Sequence, residues 1–139
     1  RYSTKKSVFQ IKEIDLGITA DVGTLQRLPH LIPQGILREL AFTGRKFSGN
    51  EAQSLGLVNN CYEDKKTMMT EVRKIAEQIA NKSPLAMRGV KEMLLYSRDH
   101  SVASGLNHVA TWNSAMLLSS DLEESIMALM QNRPPEYND

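Results

Sequence analysis

The stretch whose reading decides the fold is F-Q-I-K-E-I-D-L-G-I-T-A-D-V-G-T-L-Q-R-L-P, running from Phe9 to Pro29. A short β-prone run, Val8–Ile11, leads into two carboxylates, Glu13 and Asp21, with Gly17 between them. In a continuous strand these carboxylates would stand about 26 Å apart at ~3.3 Å per residue, too far to share one small substrate. In a continuous helix they would lie about two turns apart. They converge only where the chain turns back, and Gly17 permits a tight or left-handed turn. Asp21 also stands where it can cap a helix beginning at Val22. Spacing alone therefore favours a plain reading, a helix cap plus a surface glutamate, over a paired site. Pro29 is expected to stop that helix after about two turns.

Working outward, Gly35–Phe42 reads as a short helix closed by Gly44, and Ser48-x-x-Glu51 is a capping-box pattern opening the next. Gly56 ends that helix, and Leu57–Tyr62 reads as a second β segment. The remainder is helical. Asp64 is placed to cap a long helix through Ala80, in which Met68, Val72, Ile75, Ala76 and Ile79 recur at helical spacing. Ser83-Pro84 sets a capping hydroxyl beside a proline suited to the first helical position, giving a helix to Tyr96. Ser101 begins another through Leu118. Ser120-x-x-Glu123 is a second capping box, followed by the apolar stripe Leu122, Ile126, Leu129 and Met130. The division expected is an α/β part over residues 1–62 and a helical part over 63–139. Two candidate strands do not make a stable sheet, so further chain or other subunits are expected to complete it.

Composition narrows the function classes. Seventeen basic against sixteen acidic residues give a net charge of +1, which offers no electrostatic case for nucleic acid. No apolar run is long enough to span a bilayer as a helix. A single cysteine, Cys61, excludes an internal disulfide, and His30, His100 and His108 are too scattered to suggest a metal site. The first residue is Arg1 and not methionine, so the sequence is expected to belong to a longer protein. The final P-P-E-Y-N-D is not a peroxisomal S-K-L signal. Trp112 recurs with Leu106, Val109 and Met116 at helical spacing and reads as a packing anchor. Met68, Met93 and Met127 read as core. Arg27 is expected to satisfy carbonyls or a carboxylate, and Lys5-Lys6 and Lys65-Lys66 to be solvated charge.

The Phe9–Pro29 run resembles the active-site segment of the enoyl-CoA hydratase/isomerase (crotonase) superfamily, where a catalytic glutamate follows a short strand. The segment L-A-F-T-G-R-K-F-S-G-N-E-A-Q-S-L-G-L-V-N is similar to that family's T-G…E-A…G-L-V stretch, and I-A-N-K-S-P-L-A-M-R-G-V-K to its recurring S-P-x-A helix start. The resemblance covers roughly Ser3 to Pro134. Hydratases of the family usually carry glycine where Asp21 stands. An aspartate there, together with Leu94–Leu117, resembles the branch that isomerises dienoyl-CoA thioesters.

That resemblance implies a crotonase-like spiral α/β fold, with the C-terminal helices as a trimerisation region in a trimer or dimer of trimers. It implies an acyl-CoA substrate, isomerisation of 3,5-dienoyl-CoA to 2,4-dienoyl-CoA, no metal or redox cofactor, and a mitochondrial or peroxisomal setting. Glu13 and Asp21 become the catalytic pair. A hydratase using Glu13 to place water, and a non-catalytic chain acting in assembly, are the alternatives. In the family a further aspartate precedes an I-R-Y-like stretch, of which Arg1-Tyr2 resembles the tail. The donors to the thioester oxygen belong to the N-terminal half, so this piece alone is expected to be inactive. The end also departs from the family: Asn132 stands where hydratases have a lysine near CoA, and Arg133 is only a weak candidate for such a contact.

Overall fold

The computed structural model describes residues 1–137. The chain divides into two compact units, one spanning Arg1–Ile75 and the other beginning at Ala76, so the division falls inside a helix.

The first unit contains four short strands. Strands β1 (Tyr2–Thr4), β2 (Val8–Phe9), β3 (Phe47–Ser48) and β4 (Asn60–Tyr62) form two ladders. β1 pairs in parallel with β4, Ser3 opposite Cys61, and β2 pairs antiparallel with β3, Phe9 opposite Phe47. The two runs expected to be strands are thus both present but shorter, and they do not pair with each other. Their partners are β1, from the polar Tyr2–Thr4, and β3, which brings the buried Phe47. Phe9 and Phe47 stack at 5.4 Å between ring centres, which fixes the second ladder's register.

Helix α3 (Gly49–Ser54) packs on these ladders, whereas α1 (Thr24–Arg27) and α2 (Gln34–Thr43) pack on the 3₁₀ turns beside them. Ile11, Ala20, Ile32, Leu37, Leu40, Phe47, Ala52 and Val58 form one core. Leu40 is fully buried and contributes on the order of 1.5–3 kcal/mol by leaving water. Helix α1 ends at Arg27, short of Pro29 as expected, though after one turn and not two; Pro29 itself is not outside helical structure. It lies at the start of a 3₁₀ turn, Leu28–His30, that continues directly from α1. A first-turn position needs no amide hydrogen, so the proline is accommodated there. Ser48 caps α3 by accepting from the Glu51 amide at 3.2 Å. The Glu51 carboxylate does not complete a capping box, because it pairs with Arg45 at 2.7 Å.

Helix α4 (Lys65–Ala80) crosses the division between the units, and Asp64 caps it through the Thr67 amide at 2.9 Å. That bond holds the Asp64 carboxyl below its ordinary range. In the second unit lie α5 (Pro84–Tyr96), α6 (Val102–Met116) and α7 (Ser120–Met130). Ser83 and Ser101 cap α5 and α6 as expected. The cap of α7 is Ser119 and not Ser120, since Ser119 is the extended residue whose hydroxyl accepts from Leu122.

Trp112 packs on Gly89: a β-carbon at that glycine would lie 2.5 Å from the indole nitrogen. The indole therefore joins α5 to α6 as a packing anchor. Tyr96 of α5 is stacked between His100 and His108, at 3.7 and 4.2 Å between ring centres. Ser83 Oγ donates to Asp121 Oδ2 at 2.5 Å while accepting from the Ala86 amide, which fastens the start of α7 to the start of α5. An apolar groove of about 520 Å³ opens among α5, α6 and α7, lined in part by Val90, Met93, Val109, Met116 and Leu122.

Candidate active site

Both predicted carboxylates belong to the first unit, each close in sequence to a core residue. Ile11 and Ala20 are 6% and 7% exposed and share one cluster. Glu13 lies two residues after the first of them, and Asp21 follows the second directly. The intervening chain is a solvent-facing loop with both ends anchored in the same core.

Glu13 begins a 3₁₀ turn, Glu13–Leu16, closed by Gly17 at φ 71°. The Gly17 amide donates to the Ile14 carbonyl and the Ile18 amide to the Glu13 carbonyl, each at 3.2 Å. This is the reversal that the glycine was expected to permit, in a region of backbone space that residues with side chains rarely adopt. None of the four residues of the turn is buried. Glu13 itself is half-buried.

Asp21 is exposed and is not a helix cap. Helix α1 begins two residues later than expected, at Thr24, behind Gly23 at φ 88°, and receives no side-chain cap bond. The plain reading of Asp21 therefore fails on geometry. Arg27 lies over Gly23, its Nη1 3.1 Å from where a β-carbon would be, and donates to the Val22 carbonyl at 3.4 Å. It satisfies a carbonyl, as expected.

A groove of about 350 Å³ lies beside both segments, lined by Gln10 and Ile11 from one side of the sequence and Val22, Gly23 and Thr24 from the other. Phe9, Leu28, Phe47 and Leu57 supply apolar surface, and Arg1 and Arg27 are its cations. The side chains of Glu13 and Asp21 flank this groove in sequence without lining it. Among the described residues neither belongs to an ion pair. Those of this unit are Lys5–Glu63, Arg45–Glu39, Arg45–Glu51 and Lys74–Glu71.

Two features escaped the sequence reading. Gln10 donates from Nε2 to the Gly44 carbonyl at 2.7 Å and to Asp15 Oδ2 at 3.2 Å. Gly44, at φ 61°, ends α2 so close to the turn that a β-carbon would meet Asp15 Oδ1 at 2.9 Å and Ile14 Cγ2 at 3.0 Å. The T-G dipeptide signalled a helix end; nothing in the sequence signalled that it abuts the Glu13 turn. Among the described residues no group of three or more His, Cys, Asp or Glu side chains is arranged to hold a metal. None of the described helices is long and apolar enough to cross a membrane. Arg133 is committed elsewhere. It grips Glu124 with two nitrogens at 2.5 and 2.9 Å, and with the Glu136 amide it pulls the Glu124 carboxyl down to about 2.

The chain matches the enoyl-CoA hydratase/isomerase family over residues 1–139, and it belongs to that family. The fold agrees. The crystal structure of an enoyl-CoA hydratase from Bacillus anthracis superposes with a TM-score of 0.93 at 30% identity, over 99% of this chain and 53% of that one. The structure is thus a part of the crotonase-like α/β fold. Among curated relatives, the peroxisomal Delta(3,5)-Delta(2,4)-dienoyl-CoA isomerase of Arabidopsis thaliana is 51% identical, over 99% of this chain and 49% of that protein. The mitochondrial Delta(3,5)-Delta(2,4)-dienoyl-CoA isomerase of Homo sapiens is 48% identical, over 96% of this chain and 41% of that protein. The chain spans about half the length of the curated relatives it matches.

Proposed function

We propose that the full-length protein carrying this chain isomerises 3,5-dienoyl-CoA to 2,4-dienoyl-CoA in the oxidation of unsaturated fatty acids. The observation that carries this reading is identity of 51% and 48%, across nearly the whole chain, to proteins named for that reaction. The hydratase of known structure is only 30% identical, which ranks hydration second. Two carboxylates in segments anchored to one core, beside one groove, support the same choice.

The chemistry needs two proton-transfer groups. A proton leaves C2, next to the thioester; electrons delocalise over the dienolate; a proton is returned at C6. The double bonds each move by one carbon with no net change in composition or oxidation state. One carboxyl must be ionised and the other protonated, each near its own carbon. Glu13 serves C2 and Asp21 serves C6. Charge on the thioester oxygen requires hydrogen-bond donors, which fall to chain beyond these residues. The reaction calls for no metal or redox cofactor. The helices from α4 onward are the oligomerisation region of a trimer or dimer of trimers, and the setting is mitochondrial or peroxisomal, as for the relatives.

The test is turnover of 3,5-dienoyl-CoA by the full-length protein and its Asp21→Asn variant. The variant is expected to lose isomerisation while keeping its circular dichroism spectrum. Near-full activity of the variant, or hydration of crotonyl-CoA outrunning isomerisation in the parent, overturns the reading.

A further inference from the structure

We propose that Gln10 is a positioning residue for Glu13: its side-chain amide clamps the Glu13–Leu16 turn to the closed end of α2. The clamp acts on one carboxylate of the pair and leaves the other alone. This deepens the isomerase reading and rests on it for the catalytic consequence, though not for the clamp itself.

The turn has little else to fix it. A single 3₁₀ turn of four residues is a marginal structure with poor hydrogen-bond geometry. None of its residues is buried, so core packing does not set its position. Ile14 and Leu16 are 48% and 64% exposed. What the turn does possess is a seam with the end of α2. Gln10 bridges that seam, one amide group reaching the Gly44 carbonyl and the Asp15 carboxylate together. Asp15 belongs to the turn, two residues from Glu13, and Gly44 belongs to the left-handed closure of α2. The missing side chain at Gly44 brings the two backbones close enough for one amide to span them. Both acceptors are oxygens, one of them anionic, so only a donor at position 10 can join them.

Asp21 is held by other means. Its neighbour Ala20 is buried, and Gly23 lies under Arg27, which binds the Val22 carbonyl. Loss of the Gln10 amide should therefore disturb proton transfer at C2 and spare the transfer at C6.

The experiment uses the full-length protein with Gln10→Leu, which removes the donor, and Gln10→Glu, which keeps the shape but presents an acceptor to two acceptors. Amide hydrogen exchange at Gly17 and Ile18 is expected to quicken about tenfold or more in both variants, as expected for local opening, and to stay unchanged over Thr24–Arg27. With 3,5-dienoyl-CoA, kcat is expected to fall about 10- to 100-fold with KM within about twofold, the size of effect that a small misplacement produces. The isotope effect from deuterium at C2 should rise, and the solvent isotope effect should not. Gln10→Glu should be at least as damaging as Gln10→Leu. Wild-type exchange at Gly17 and Ile18 in either variant overturns the clamp, and so does a Gln10→Glu protein with wild-type kcat, since a role in shape alone predicts that. If the parent protein does not turn over 3,5-dienoyl-CoA, the isomerase reading fails, and the exchange measurement still decides the clamp.

Discussion

Around Glu13, position is set by hydrogen bonds across a partly buried seam; around Trp112, it is set by steric fit. In the first region a glutamine amide and a few backbone bonds hold a turn with no buried residue. In the second, an indole fills the space left by a glycine, and a serine–aspartate bond ties two helix starts together. Hydrogen bonds exposed to water contribute modestly to stability, whereas tight packing punishes small changes in volume. On the proposed reading, activity and stability are carried by separate residues. Substitutions near the turn should act on turnover, and those among the helices on melting.

The largest effect expected is Glu13→Gln in the full-length protein: a loss of about 10²–10⁴-fold in kcat, the usual worth of a general acid or base. Its melting temperature should barely move, since Glu13 is half-buried in a turn outside the core. A large drop in melting with the loss of activity would erase the contrast between the regions. Next is Gly89→Val, which drives a branched side chain into Trp112 and should cost about 1–3 kcal/mol, read from denaturant unfolding. Unchanged stability would show that α5 and α6 are loosely apposed.

Ser83→Ala comes third. It removes a cap and strips Asp121 of its hydroxyl partner, for about 0.5–2 kcal/mol by the same measurement. The smallest effect, and the one that depends on pH, belongs to Glu124→Gln. The Glu124 carboxyl is lowered from 4.5 to about 2 by the Arg133 guanidinium and the Glu136 amide. Stability from a lowered carboxyl is complete above its unfolded value and fades as pH falls through its folded value. The melting gap between parent and variant should hold above pH 4.5 and close as pH drops toward 2. A gap that ignores pH would mean that the bidentate grip contributes nothing.

The sequence was most informative where structure is local. Serines at 48, 83 and 101 marked helix starts because a cap bond spans only three residues. Even there, adjacent Ser119 and Ser120 offered two registers, and only the extended backbone of Ser119 separated them. Strand β1 was not read at all, since Tyr2–Thr4 is polar and its partner lies 58 residues away. The pairing of Glu13 with Asp21 rests on family resemblance and not on spacing. Gly23, which displaces Asp21 from the cap position, shows why: its left-handed backbone moves the helix start by two residues. Gln10 carried no signal, because its acceptors are a backbone carbonyl 34 residues on and a carboxylate brought near by the turn.

Trp112 is the only tryptophan in these 139 residues, and its seat on Gly89 gives this part of the protein an optical address. Indole emission from this chain reports the contact between α5 and α6. The Glu13 turn and its clamp are dark at that wavelength. Fluorescence from this indole would therefore follow loosening of the helices and pass over events at the turn. Those must be watched through exchange or turnover, or through a tryptophan introduced at Phe9, whose ring already lines the groove.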